Sequence, residues 1–223
     1  MQSLYEYAMM RDMQDDVIRP GGLGLTGKLL EYCDLHENSC VLDVGCGCAA
    51  SLRLAKERYG CDIFGIDIAR RLLLQAKGRP CDNCLIQGNV FAMPFAANSF
   101  DLVLLECVAS IFSIEACLAI CKRILRPGGK VLITDLYARM ADGLNEVRQL
   151  PKGTCIQGVI MHEDVLSALK KFDLKLVHWG DYSDTMKNFP MKTLSASLQI
   201  NMFDLIMAAN SIDLGYYGVI AEK

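Results

Sequence analysis

Between residues 40 and 134 the chain alternates short apolar runs with segments of helical periodicity, and this alternation constrains the fold most. Residues 40–44, 62–67 and 100–105 read as strands. Residues 84–87 form a shorter one, and 130–134 another after the turn Arg126-Pro127-Gly128-Gly129. Residues 49–59, 69–77 and 114–124 read as the helices between them. A helix joining two adjacent strands makes them parallel and the crossover right-handed. A run of such units predicts an α/β, doubly wound, mostly parallel sheet.

Outside this region the pattern loosens. Residues 2–16 read as a short amphipathic helix, broken at Arg19-Pro20-Gly21-Gly22 because proline cannot continue a helix and paired glycines turn freely. A second helix is expected over 23–33, a third over 162–172, a strand over 174–180 and a last strand over 215–221. Residues 186–209 read as a mostly helical insertion. The chain of 223 residues suits one domain. Residues 1–33 are expected to form an N-terminal helical cap, and 184–212 a helical insertion before the last strand.

Val41-Leu42-Asp43-Val44-Gly45-Cys46-Gly47 delivers a strand to a turn in which two residues lack a Cβ. Backbone can approach a ligand closely there, at the carboxyl edge of the sheet. Asp67 ends the next strand, where an acidic side chain can accept from both hydroxyls of an adenosine ribose. Gly45, Gly47 and Ala50 also satisfy the dinucleotide pattern G-x-G-x-x-G/A, so a nicotinamide-dependent oxidoreductase is one reading. Asp43 favours another. A carboxylate two residues before the first glycine is poorly placed for an anionic pyrophosphate and well placed for the ammonium of a methionyl tail.

As a set, these segments resemble the class I, Rossmann-like S-adenosylmethionine-dependent methyltransferases. The stretch 41–47 is similar to their first motif and Gly65-Ile66-Asp67 to the acidic end of their second strand. Gln87-Gly88-Asn89-Val90, Met93-Pro94-Phe95 and 99–103 resemble the third and fourth motifs, and 125–133 the turn before strand five. Arg19-Pro20-Gly21-Gly22-Leu23 looks like the opening of bacterial members acting on small molecules. The resemblance implies seven strands, the last antiparallel. It implies S-adenosyl-L-methionine as cofactor, held by Asp43, Gly45, Cys46, Gly47, Asp67, Ile68, Asn89, Val90 and Glu106. Two positions depart from the pattern: Ala49 stands where the family often has Gly, and Asn89 where it often has Asp. Asn89 still offers a carbonyl oxygen to the adenine amino group.

The resemblance places the acceptor above the carboxyl ends of strands one, four and five. Methyl transfer from a sulfonium needs chiefly alignment in a dry pocket, and a base only if the acceptor must lose a proton. Glu106 and Tyr137 are the catalytic candidates, with Cys107 and Asp135 beside them at strand ends. A second acceptor chemistry is a metalloid of the arsenite type gripped by thiolates, for which Cys46, Cys48 and Cys107 stand at strand ends. A binding scaffold that has lost transfer is a third reading. The pair Cys81 and Cys84 has zinc-like spacing but lacks a second pair, and no resident metal is expected.

Net charge is −3, so a nucleic-acid partner is not expected. No apolar run is long enough to span a bilayer, and no basic n-region opens a signal peptide. Eleven cysteines then read as reduced thiols in the cytoplasm. The partner expected is a small-molecule acceptor. The patterning fixes no oligomeric state, a dimer being allowed.

Overall fold

A computed structural model describes residue 17 and residues 19–76, 84–150, 155–188 and 201–223, apart from the Met202 side chain. The helix expected over 2–16, Cys81 of the cysteine pair, and residues 189–200 of the insertion lie outside the described residues.

The strands are β1 (Cys40–Val44), β2 (Asp62–Asp67), β3 (Leu85–Gln87), β4 (Phe100–Glu106), β5 (Leu125–Ala138), β6 (Lys175–Asp181) and β7 (Leu214–Glu222). They form one sheet in the order β3-β2-β1-β4-β5-β7-β6. β1 pairs in parallel with β2 and β4, β2 with β3, and β4 with β5. β7 runs antiparallel between β5 and β6. This is the expected topology of seven strands with the last reversed.

The helices are α1 (Gly22–Leu30), α2 (Ala50–Tyr59), α3 (Arg70–Gln75), α4 (Ile114–Ile124), α5 (Leu144–Arg148), α6 (His162–Lys171) and α7 (Met202–Ser211). Helix 23–33 begins one residue earlier and stops at Leu30. The insertion read as mostly helical has a 3₁₀ turn over Ser183–Asn188 and α7.

Strand β4 reads Phe-Asp-Leu-Val-Leu-Leu-Glu, with four consecutive residues buried, as a strand covered on both faces must be. Leu102 and Leu104 share one core with Leu25, Leu29 and Leu30 of α1 and Leu52 of α2. Val103 and Leu105 face the opposite core, with Cys117, Leu118 and Cys121 of α4 and Val165 and Leu169 of α6.

The sequence places a turn at 126–129 before β5, whereas the strand absorbs it as a bulge. Phe100 pairs with Leu125, and Leu102 then pairs with Lys130. Gly129 permits this crowding. A Cβ there would lie 2.9 Å from the Arg126 carbonyl oxygen and 3.0 Å from that of Phe100.

Candidate active site at the carboxyl edge of the sheet

β1 ends in the turn at Gly45, which has φ +77°. The Gly45 and Cys46 N–H groups both donate to the Ile66 carbonyl, at 2.8 and 3.2 Å, fastening the turn to β2. A Cβ on Gly45 would lie 2.7 Å from Val108 Cγ2, so glycine is required by both backbone and neighbour. Gly47, at φ +52°, donates its N–H to Asp67 Oδ2 at 2.8 Å, and Ala69 N–H donates to Asp67 Oδ1 at 2.7 Å. Asp67 is thereby held facing the turn. Cys46 is buried, and its Sγ lies where a Cβ on Gly65 would sit. The Cys46 side chain therefore packs on β2, and only its backbone belongs to the turn.

Asp43 lies one strand position inside the turn, 4% exposed. Its carboxylate accepts no hydrogen bond from any described residue. Burial, then the neighbouring Glu106, push its pKa well above the usual carboxylate range, against the opposing pull of Arg19. A buried carboxylate without a donor is costly and is satisfied by an arriving cation.

Glu106, expected as a candidate base, is heavily bonded. Its Oε1 accepts from Thr26 Oγ1 at 2.7 Å, its Oε2 accepts from Ser51 Oγ at 2.5 Å, and the same Oε2 forms an ion pair with Arg19 Nη2 at 2.9 Å. Both partners of the ion pair are nearly closed to solvent, at 12% for Arg19 and 5% for Glu106. The guanidinium and the two hydroxyls occupy both of its oxygens. The side chain instead bolts α1 and the segment before it onto the end of β4. Burial opposes the Arg19 charge, but Glu106 together with Tyr216, Cys107 and Asp43 outweighs it and the pKa is raised.

Tyr137 is not brought to this cluster. It belongs to the core on the other side of the sheet, against the rings of Trp179 and Tyr217. Its hydroxyl donates to Asp181 Oδ2 at 2.9 Å and accepts from Arg139 Nε at 3.0 Å. The phenol near the turn is Tyr216, whose hydroxyl donates to Thr134 Oγ1 at 3.0 Å and lies 3.3 Å from Cys107 Sγ. Arg19, Thr26, Ser51 and Tyr216 are site neighbours that sequence reasoning missed. Only Arg19 carried a signal, as a charged residue before the paired glycines.

On the far side of the turn, Ile68 and Phe91 are exposed, and the Phe91 ring meets Phe112 edge to face at 5.1 Å. Asn89 Oδ1 accepts from Phe91 N–H at 2.9 Å, which orients it, and Val90 is buried beneath. Exposed apolar side chains beside Asp67 and Asn89 offer the faces an adenine ring needs.

A cavity of about 330 Å³ opens at the carboxyl ends of β4 and β5, against Ser110, Asp135, Arg148, Gln157 and Tyr217. Val108, which touches Gly45, leads directly into its wall at Ala109 and Ser110. The Asp135 carboxylate accepts from Ser110 N–H (2.8 Å), Ser110 Oγ (2.6 Å) and Leu136 N–H (2.8 Å), shaping the loop. Burial still raises its pKa to about 6, against the pull of those bonds.

Among the described residues no group of three His, Cys, Asp or Glu side chains could hold a metal ion. Burial pushes the Cys107 thiol well up, with Asp135 adding to it, and burial likewise raises Cys46. Thiolates at these positions are disfavoured.

The residues present fit an S-adenosyl group by three features: an unbonded buried carboxylate, a turn whose missing Cβ leaves room, and an acidic strand end. A family model described as a methyltransferase domain matches residues 42–133. Phosphoethanolamine N-methyltransferase of Plasmodium falciparum is 33% identical over 130 residues, covering 56% of this chain and 49% of that protein. Malonyl-(acyl-carrier protein) O-methyltransferase of Enterobacter lignolyticus is 33% identical over 110 residues, covering 49% and 42%. The chain thus spans about half the length of the curated relatives it matches. In fold it is similar to a geranyl diphosphate methyltransferase solved in complex with SAM, at TM-score 0.71 and 14% identity, over 89% of this chain and 84% of that one. Residues 42–133 thus match a methyltransferase domain, and the chain shares its fold with solved methyltransferases.

Proposed function

We propose that the protein transfers a methyl group from S-adenosylmethionine to a small-molecule acceptor in the cytoplasm. The observation that carries this is Asp43: a carboxylate buried at the end of β1, without a donor among the described residues, beside a glycine turn that a Cβ would close. The cofactor, when bound, supplies an electrophilic methyl on a cationic sulfur. Asp43 receives its ammonium, and Asp67, held at the end of β2 by Gly47 and Ala69, receives its ribose hydroxyls. Asn89, Ile68 and Val90 border the adenine, and the Gly45–Gly47 backbone lets the methionyl segment pass. Glu106 acts on the cofactor from behind, by holding the N-terminal segment over the strand ends.

The cavity behind Val108 takes the acceptor. Its volume of about 330 Å³ is at the small end of ligand sites. The relatives act, by their names, on phosphoethanolamine and on malonyl-acyl-carrier protein, and the geranyl diphosphate enzyme on a prenyl diphosphate. Its lining is mixed: Phe112, Ile114, Leu136, Val159 and Ile160 supply apolar contact, and Ser110, Asp135, Arg148 and Gln157 supply a few polar groups. The ten described cysteines form no disulfide with one another, in keeping with a reducing compartment. Among the described residues no helix is long and apolar enough to cross a membrane.

Calorimetry with S-adenosylmethionine against NAD tests the cofactor, and mass spectrometry of a metabolite pool incubated with methyl-labelled cofactor tests transfer. Binding of NAD alone would refute the reading. Cofactor binding with no labelled product from any pool would leave a scaffold in place of an enzyme.

A further inference from the structure

Arg19 holds every one of its hydrogen bonds through a single nitrogen. Nη2 donates to Thr26 Oγ1 at 2.6 Å and Ser51 Oγ at 2.8 Å, and it pairs with Glu106 at 2.9 Å. Nε and Nη1 have no partner among the described residues, although the side chain is only 12% exposed. Unmatched buried N–H groups are as costly as unmatched acceptors. Asp43, paired across the sheet with Leu104, two residues before the Glu106 that holds Arg19, is the complementary case: a buried carboxyl with no donor among the described residues. The cradle thus exposes unmet donors of positive charge and unmet acceptors of negative charge side by side. An α-amino acid end carries both partners, and a guanidinium fork matches a carboxylate with two parallel bonds.

We propose that Arg19 is the anion-binding half of the cofactor cradle, its free Nε and Nη1 groups receiving the methionyl carboxylate while Asp43 receives the ammonium. This rests on the proposed S-adenosylmethionine site. Glu106, Thr26 and Ser51 then have a defined task. They fix the guanidinium by Nη2 and leave the other edge pointing free, so little side-chain entropy is lost on binding.

The test uses calorimetry on the full chain with three probes: S-adenosylmethionine, S-adenosylhomocysteine and decarboxylated S-adenosylmethionine, which keeps the sulfonium and adenosine but lacks the carboxylate. The wild type is expected to favour the intact cofactor over the decarboxylated one. Arg19→Gln should weaken both carboxylate-bearing probes by about 10- to 100-fold and change the decarboxylated probe by less than about 3-fold. If Arg19→Gln fails to fold, Arg19→Lys decides, since it keeps the charge and the Glu106 pair but loses the fork. It should still shrink the preference for the carboxylate-bearing probe. Equal weakening of all three probes, or an unchanged preference in Arg19→Lys, would overturn the proposal by reducing Arg19 to a structural tie. A wild type that binds none of the three would instead sink the cofactor reading itself.

Discussion

Replacing Asp43 by Asn sets the stability of the free protein against its use of the cofactor. The carboxylate is 4% exposed and unbonded among the described residues, and burial and Glu106 raise its pKa well above 3.8. A group whose folded pKa is raised favours folding fully at pH below its unfolded value, and that contribution is lost as pH rises through the folded value. At pH 7 the ligand-free protein therefore carries a penalty. Its lower bound is the desolvation cost of an unmatched charged group, about 2 kcal/mol. Its ceiling is the cost of keeping a carboxyl protonated about three pH units above its ordinary value, about 4 kcal/mol. Asn has nearly the same shape and cannot ionise. Ligand-free Asp43→Asn is expected to be more stable than wild type by about 2–4 kcal/mol at pH 7, the gain shrinking toward pH 4. Cofactor affinity should fall by about 10- to 100-fold, as a charge-assisted bond is lost. Urea titrations at pH 4.5 and 7.5, with calorimetry on the same samples, measure both. A variant less stable than wild type at pH 7, or a gain that does not change with pH, would refute the argument that Asp43 waits unpaired.

Three further outcomes are expected. Gly45→Ala should cost about 2–4 kcal/mol in thermal or urea unfolding, combining a left-handed φ with a Cβ 2.7 Å from stiff Val108, and should weaken cofactor binding in calorimetry. The Asp135 carboxyl carbon should titrate by NMR near pH 6, and its contribution of roughly 3 kcal/mol, present below pH 3.8, should be lost as pH rises through about 6; Asp135→Asn should remove that slope from the pH dependence of stability. Tyr137→Phe should lower stability by about 0.5–1.5 kcal/mol and leave cofactor affinity unchanged, since its hydroxyl serves Arg139 and Asp181 on the opposite side of the sheet.

The parts of the fold that could be read in advance are those where periodicity and punctuation agree. β1, β2 and β4 are short apolar runs bounded by glycine or acidic residues, and the helix expected over 114–124 forms over those residues. β5 was harder to delimit, because Pro127 and two glycines signal a turn, and only pairing to β4 reveals that the strand continues through a bulge. α5 is five residues long, too short for a period to show. Within the site, the glycine turn and the acidic strand ends are legible because each residue type serves the backbone or ligand locally. Arg19 is not, since its partner Glu106 is distant in sequence and the meeting exists only after α1 docks. Tyr137 and Tyr216 could not be told apart for a similar reason. Each occupies a strand end, and only the pleat decides which side of the sheet each ring meets.

The place of β7 has a consequence for biosynthesis. It lies between β5 and β6 and is hydrogen-bonded to both, yet it follows both in the chain. Until residues 214–222 emerge from the ribosome, β5 presents an open edge whose residues from Lys130 to Ala138 are all buried in the finished protein. An apolar, unpaired edge of that length is a template for joining another chain. Nascent molecules are therefore most prone to association in the interval between translation of β5 and of β7, and a chain stalled or cut before residue 214 should be sticky rather than merely shortened.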